Sequence, residues 1–224
     1  MKFEDKGFLI SKNKYNENSA IAEFYTSNYG KVSGLIFGAT STKLKNFLFL
    51  GNLFNVQFNS KNHNKTGYFK VEIEKVFTPH FLDDKIKLNC ILYSLNLIKI
   101  LTVENQSNQK IYKQIVKLFD FLGKNDWIKN FIFWELEIKK LVGYDINFND
   151  YVDKSKIQDN QSHVPLIDGS KEIPYFLLND KQYKINNDDL KDGLKIVGDF
   201  LNKSVLIPNN ITYPILRNEF IKLI

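Results

Sequence analysis

Lys31, Lys43 and Lys45, followed by Lys61, Lys65 and Lys70, put cations along the first third of the chain in a pattern suited to neutralising phosphate. Lysines that bind a polyanion release its counterions, which requires a coherent surface and no fixed spacing. The charge distribution agrees. Residues 1–80 hold 11 lysines against 6 acidic residues, residues 81–150 hold 10 against 9, and residues 151–224 hold 10 basic residues against 10. Arg217 is the only arginine among the 31 basic residues. Lysine is a point charge without arginine's planar fork, so its contacts go to the nucleic-acid backbone and ignore base identity. Tyr29, on a turn between two apolar runs, adds a ring on which a base could stack, while Phe24 and Phe37 read as core.

Other chemistries have less support. His63, His80 and His163 are far apart, and none stands in the spacing of a metalloprotease or a paired metal ligand. One cysteine, Cys90, excludes a disulfide framework and a multi-cysteine zinc site; within an apolar helical run it reads as a buried thiol. Asp83-Asp84 and Asp188-Asp189 stand at helix starts, where acids complement the dipole. No phosphate-binding G-x-x-x-x-G-K-[ST] loop occurs. The expectation is no enzyme, no catalytic residue, no metal and no cofactor. The longest apolar stretch, residues 86–101, is interrupted by Lys87, Asn89, Asn96 and Lys99, too often for a membrane span. The first residues lack the apolar segment of a signal peptide, so the chain reads as cytoplasmic.

The elements that must hold the lysines follow from periodicity. Residues 7–15, 19–27, 31–39, 53–61 and 67–77 are short apolar runs separated by Asn, Gly, Ser and Lys. Alternation is cleanest in Phe54, Val56 and Phe58 against Asn55, Gln57 and Asn59, and in Phe69, Val71 and Ile73 against Lys70, Glu72 and Glu74. Five short strands in so few residues suit a closed barrel of the OB type, which removes sheet edges and binds oligonucleotides. After Pro79 the period becomes helical. Leu88, Ile91, Leu92, Leu95 and Ile98 trace one stripe, Ile111, Ile115, Leu118 and Leu122 a second, and Ile128, Phe131, Glu135 and Ile138 a third. These helices are expected to pack together as a bundle. Residues 151–189 read as loops and short β pieces, and Leu190, Leu194, Val197 and Leu201 recover helical spacing behind an Asp188 or Asp189 cap. The expected class is α+β, with an OB-fold barrel over 1–79 and a helical domain over 80–224.

The segment Phe24-Tyr25-Thr26-Ser27-Asn28-Tyr29-Gly30-Lys31-Val32-Ser33-Gly34-Leu35-Ile36-Phe37-Gly38-Ala39 resembles the N-terminal motif of the RecO family of recombination mediators. Similarity resumes at Leu50-Gly51-Asn52-Leu53-Phe54 and again at Phe133-Trp134-Glu135-Leu136-Glu137-Ile138-Lys139-Lys140-Leu141-Val142-Gly143-Tyr144, in the family's order. The resemblance implies a barrel followed by helices, and places Lys43 and Lys45 where basic residues follow the Gly-Ala of the motif; Thr40 stands where the family usually has arginine. Many members carry a four-cysteine zinc module after the Gly-Tyr. Here Tyr151 and Lys154 fall near the first cysteine pair, so residues 145–189 are expected to be a degenerate, zinc-free version held by packing. The implied function is binding of single- and double-stranded DNA and annealing of strands coated with single-stranded-DNA-binding protein. The implied partners are that protein's acidic C-terminal tail, RecR and, indirectly, RecA. Lys129 and Lys140, with Phe131 and Trp134 on the helix they flank, are the candidates for holding the tail. The competing readings are a generic OB-fold binder of single strands or RNA, and a nuclease with unrecognised acids.

Overall fold

In the computed structural model, which describes residues 1–60, 66–156, 161–169, 171–178 and 185–224, the apolar runs of the first third become β1 (Lys2–Lys14), β2 (Ser19–Thr26), β3 (Gly30–Phe37), β4 (Leu53–Asn59) and β5 (Gly67–Lys75). They close into a barrel in the order β1-β2-β3-β5-β4, with β3 and β5 parallel and every other pair antiparallel. That is the OB-fold arrangement. β1 starts five residues earlier than its apolar run suggests, because Phe3 stands alone among Lys2, Glu4, Asp5 and Lys6. Its first half pairs with β4 and its second half with β2, and a bulge between Leu9 and Ser11 provides the bend between the two. The inward faces bring Leu9, Phe24, Val32, Ile36, Phe54, Val56 and Phe69 into one core.

Phe24 is fully buried, as its alternation requires, but Phe37 is not core: it is 59% exposed. Val32 and Ile36 face inward, so Lys31, Ser33, Leu35 and Phe37 share the outer face of β3. Parity overrides the apolar character of the ring.

Between β3 and β4 the chain makes the short helix α1 (Thr42–Lys45). Leu44, Leu48 and Leu50 pack against the barrel core, and the Lys12 ammonium donates to the Leu48 carbonyl at 2.8 Å. Burial lowers the Lys12 pKa from its ordinary value.

Two compact units emerge: Met1–Leu122 with Pro214–Leu223, and Gly123–Tyr213 with Ile224. Periodicity alone implies one helical bundle, yet the helices divide between these units. α2 (Lys85–Leu101), α3 (Gln109–Leu122) and α6 (Ile215–Lys222) belong with the barrel. The reason lies on the barrel's outside, where Phe8 and Tyr25 are apolar and need cover. Phe8 meets the rings of Phe77, Tyr112 and Phe119 at centroid distances of 5.3 to 6.2 Å. α6 packs against α2, with the buried Arg217 guanidinium 5.9 Å from the Tyr93 ring centroid.

The second unit holds α4 (Trp127–Leu141), the hairpin β6 (His163–Pro165) with β7 (Glu172–Pro174), and α5 (Asn187–Leu201). α4 and α5 pack together; the Phe176 ring lies 6.0 Å from Phe133 in an edge-on contact. The cap of α5 is Asn186, not Asp188 or Asp189. Its side chain accepts from the Asp189 amide at 2.9 Å, and the Asp189 carboxylate accepts from the Asn186 amide at 2.9 Å. This reciprocal box satisfies two amides that a helix start otherwise leaves open. Among the described residues of 145–189, Phe148, Val152, Val164, Ile173 and Phe176 are buried.

Candidate nucleic-acid interface

The β2–β3 hairpin is built as its residues suggest. Thr26 pairs with Gly30 across a three-residue loop, and Gly30 takes the left-handed conformation, with φ of +69°. The Thr26 hydroxyl donates to the Gly30 carbonyl at 3.0 Å and accepts from the Tyr29 amide at 3.2 Å. Asp5 braces the turn from β1 by accepting from the Asn28 amide and side chain at 2.7 and 3.1 Å.

What the turn presents differs from what its sequence suggests. Tyr29 is half-buried and stacks on Phe3 at 3.9 Å, 18° from parallel. Lys31 is also half-buried, and its ammonium donates to the Lys99 carbonyl in the last turn of α2 at 2.7 Å. A cation at a helix C-terminus satisfies one of the carbonyls left open there and complements the dipole. Burial lowers the Lys31 pKa from its ordinary value, while Glu23 and Glu104 oppose that shift. Lys99 in turn pairs with Glu23 at 2.8 Å and donates to the Ser11 hydroxyl at 2.9 Å. The Asn105 amide donates to the Lys31 carbonyl at 2.8 Å. Lys31 and Tyr29 therefore tie the barrel together and to α2.

Tyr25 completes this covered face. It is buried, its hydroxyl donates to the Asn108 carbonyl at 3.3 Å, and burial pushes its pKa up to about 12, against a small opposing effect of that hydrogen bond. An unfolded tyrosine ionises near 10. Stability held by the neutral phenol is thus fully present below that value and is lost as pH rises from about 10 towards 12. Urea unfolding across that range is expected to show a steeper alkaline loss in the unmodified chain than in Tyr25→Phe. Parallel losses would mean that Tyr25 ionises as freely in the folded chain as in the unfolded one.

Lys43 and Lys45 are both exposed and flank Leu44, whose side chain packs on the barrel core. Docking of Leu44 leaves both lysine side chains to solvent, on different sides of the short helix. Lys70 is exposed on β5. Lys61 and Lys65 lie outside the described residues. In the second unit Lys140 is exposed and pairs with Asp145 at 3.2 Å, and Lys129 is half-buried. Phe131 and Trp134 are buried, their centroids 5.8 Å apart in a stacked arrangement. The neighbouring Lys139 is the more unusual residue. It is wholly buried, donates to the Val197 carbonyl of α5 at 2.7 Å and lies 5.4 Å from the Phe200 ring centroid. Nothing in a Lys139-Lys140 doublet distinguishes the buried member except the helical register, which sets Lys139 one turn from the buried Glu135.

The model of the N-terminal domain of recombination protein O matches residues 1–77, and the model of its C-terminal domain matches residues 82–210, more than half of the chain. The chain belongs to the RecO family. Membership gives it a role in DNA repair and recombination. The DNA repair protein RecO of Rickettsia bellii (strain OSU 85-389) is 26% identical over 238 residues, which span all of this chain and 97% of that protein. Its counterpart in Ehrlichia chaffeensis is 26% identical over 242 residues, covering all of this chain and 98% of the relative. That of a Wolbachia from Drosophila simulans is 23% identical with both chains fully covered. The RecO motif around Gly30 thus has two physical duties here, a turn and a seat for the loop that follows α2. Among the described residues no helix is long and apolar enough to cross a membrane.

Proposed function

We propose that this RecO-family chain is a recombination mediator of the bacterial cytoplasm and not a catalyst of bond chemistry. It binds single- and double-stranded DNA, anneals complementary strands coated with single-stranded-DNA-binding protein, and with RecR assists the loading of RecA. The observation that carries this reading is the exposed Lys43–Lys45 pair held on an OB-fold barrel, in a chain matched along most of its length by the family's two domains. Two ammonium groups fixed on a barrel attract backbone phosphate without selecting a sequence, which suits a protein that must hold any two complementary strands. Lys70 is a further exposed cation, on β5. The acidic tail of the single-stranded-DNA-binding protein is drawn to the cations of α4, with Lys140 and Lys129 as its charged contacts; Phe131 and Trp134, on the same helix, are buried.

The test is annealing of complementary oligonucleotides precoated with the cognate single-stranded-DNA-binding protein, with and without that protein's C-terminal tail. Annealing is expected to require the tail. Lys43→Glu combined with Lys45→Glu is expected to weaken DNA binding by more than about tenfold and to make the salt dependence shallower by about two units of slope, one per lost phosphate contact. Binding to bare DNA without annealing of coated strands would instead reduce the chain to a generic OB-fold binder.

A further inference from the structure

Within the first unit, one face of the barrel is closed and another is open. The outer side of the β2–β3 hairpin is taken by Tyr25 and Lys31 and by the chain that follows α2. On the opposite side of the barrel the outward residues of β1, β4 and β5 fall in two cross-strand rows. Lys2 pairs with Asn59 and Asn59 with Tyr68; Glu4 pairs with Gln57 and Gln57 with Lys70. Lys2, Glu4, Gln57 and Lys70 are exposed, and Asn59 and Tyr68 are half-buried. Together they line a groove of about 290 Å³, at the lower end of the range for small-ligand sites. Beside it the Phe37 ring, which sequence patterning assigns to the core, tilts against Tyr68 with centroids 5.9 Å apart.

We propose that this groove seats an unstacked nucleobase of a single DNA strand. The inference rests on the DNA-binding reading above and names the surface on which the strand lies. The chemistry of the lining favours a base over a phosphate. Gln57 and Asn59 each offer an amide donor and an amide acceptor, the pair of functions that reads a base edge. Glu4 repels phosphate but accepts from exocyclic amino groups. The Tyr68 and Phe37 rings provide a stacking platform that tolerates any base. Lys2 and Lys70, at the two ends of the rows, are placed for the flanking phosphates. A duplex keeps its bases stacked inside and cannot use such a groove.

Equilibrium binding of a labelled oligothymidylate and of a labelled duplex, measured by fluorescence anisotropy, tests the assignment. Tyr68→Ala is expected to weaken the single strand about tenfold, the loss that removing one base stack brings, while leaving duplex affinity within about twofold. Tyr68→Phe keeps the ring and is expected to bind like the unmodified chain. Crosslinking of an iodouracil-substituted strand to the unmodified chain needs no variant to fold, and its adducts are expected at Tyr68 or Phe37. If the chain binds oligothymidylate but Tyr68→Ala is without effect, or weakens single strand and duplex alike, or the adducts lie wholly elsewhere, the groove is not the base site and the DNA-binding reading stands. If the unmodified chain binds neither probe, that reading itself fails.

Discussion

Gly30→Ala is expected to destabilise the first unit by about 3 kcal/mol or more, far beyond the cost of a residue change in an ordinary turn. Two effects add. The backbone at Gly30 has φ of +69°, where a side chain alone costs about 1–2 kcal/mol. A Cβ there would also overlap the Gln106 carbonyl oxygen and lie 2.6 Å from its carbon. The obstacle is main chain and has little freedom to retreat. The Asn105 amide is bonded to the Lys31 carbonyl, and the Asn108 carbonyl accepts from the Tyr25 hydroxyl. Gly38 supplies the control, because its φ of +70° is nearly the same but nothing lies within 4 Å of its added Cβ. Gly38→Ala is expected to cost only the conformational part, about 1 kcal/mol. Thermal unfolding followed by circular dichroism separates the two, and equal losses of Tm would show that the loop yields freely.

Asn52→Ala is expected to cost about 3–5 kcal/mol, through hydrogen bonding more than through lost volume. Asn52 is fully buried at the start of β4. Its side-chain oxygen accepts from the Phe77 and Thr78 amides at 2.9 and 3.3 Å, and its side-chain nitrogen donates to the Phe47 carbonyl at 2.8 Å. One amide therefore joins the chain entering β4, the chain that has left β5 and the segment after α1. Alanine strands three backbone groups in the interior, each at about 1–3 kcal/mol if no water replaces the partner. Asn52→Leu fills the space and is expected to be no better, which distinguishes lost bonds from a cavity. Asn52→Asp keeps the acceptor but removes the donor and places a charge in the interior. Urea unfolding should show a lower midpoint with an unchanged slope. A loss under about 1 kcal/mol for Asn52→Ala would mean that solvent reaches the three groups.

Local pattern carried the sequence reading far. Alternation located the strands, Asn28 and Gly30 located the turn, and three- and four-residue spacing located the helices, because each of these depends on neighbours in the chain. The errors concern what lies against an outward face, which no local pattern records. Tyr25 and Lys31 have outward parity in β2 and β3, and both would be surface residues of an isolated barrel. The last turn of α2 and the residues after it, about seventy to eighty positions away in sequence, cover them. Phe37 is the converse: outward parity, an apolar ring, and no cover. Lys43 and Lys45 were singled out by the resemblance alone; they are exposed, and the sequence did not reveal that Leu44 between them docks on the barrel core. The outward alternation of Asn55, Gln57 and Asn59 was visible in the sequence. Its alignment with Lys2 and Tyr68 needed the register of three strands.

The placement of α6 has a consequence for how the chain is made. Residues 214–223 belong to the first unit, yet they follow residues 123–213 of the second in sequence. A nascent chain can form the barrel, α2 and α3 early, but the flank of α2 that receives α6 stays open until residues 214–223 leave the ribosome. Contacts of that sequence separation form late, because a long loop must close before they are rewarded. The α2 flank, with the Tyr93 ring on it, is therefore bare throughout synthesis of the second unit, an interval in which exposed apolar surface invites chaperones or aggregation. The first unit is thus finished only after residues 123–213 have been made, so a product truncated before residue 214 carries a barrel whose helical cover is left unfinished.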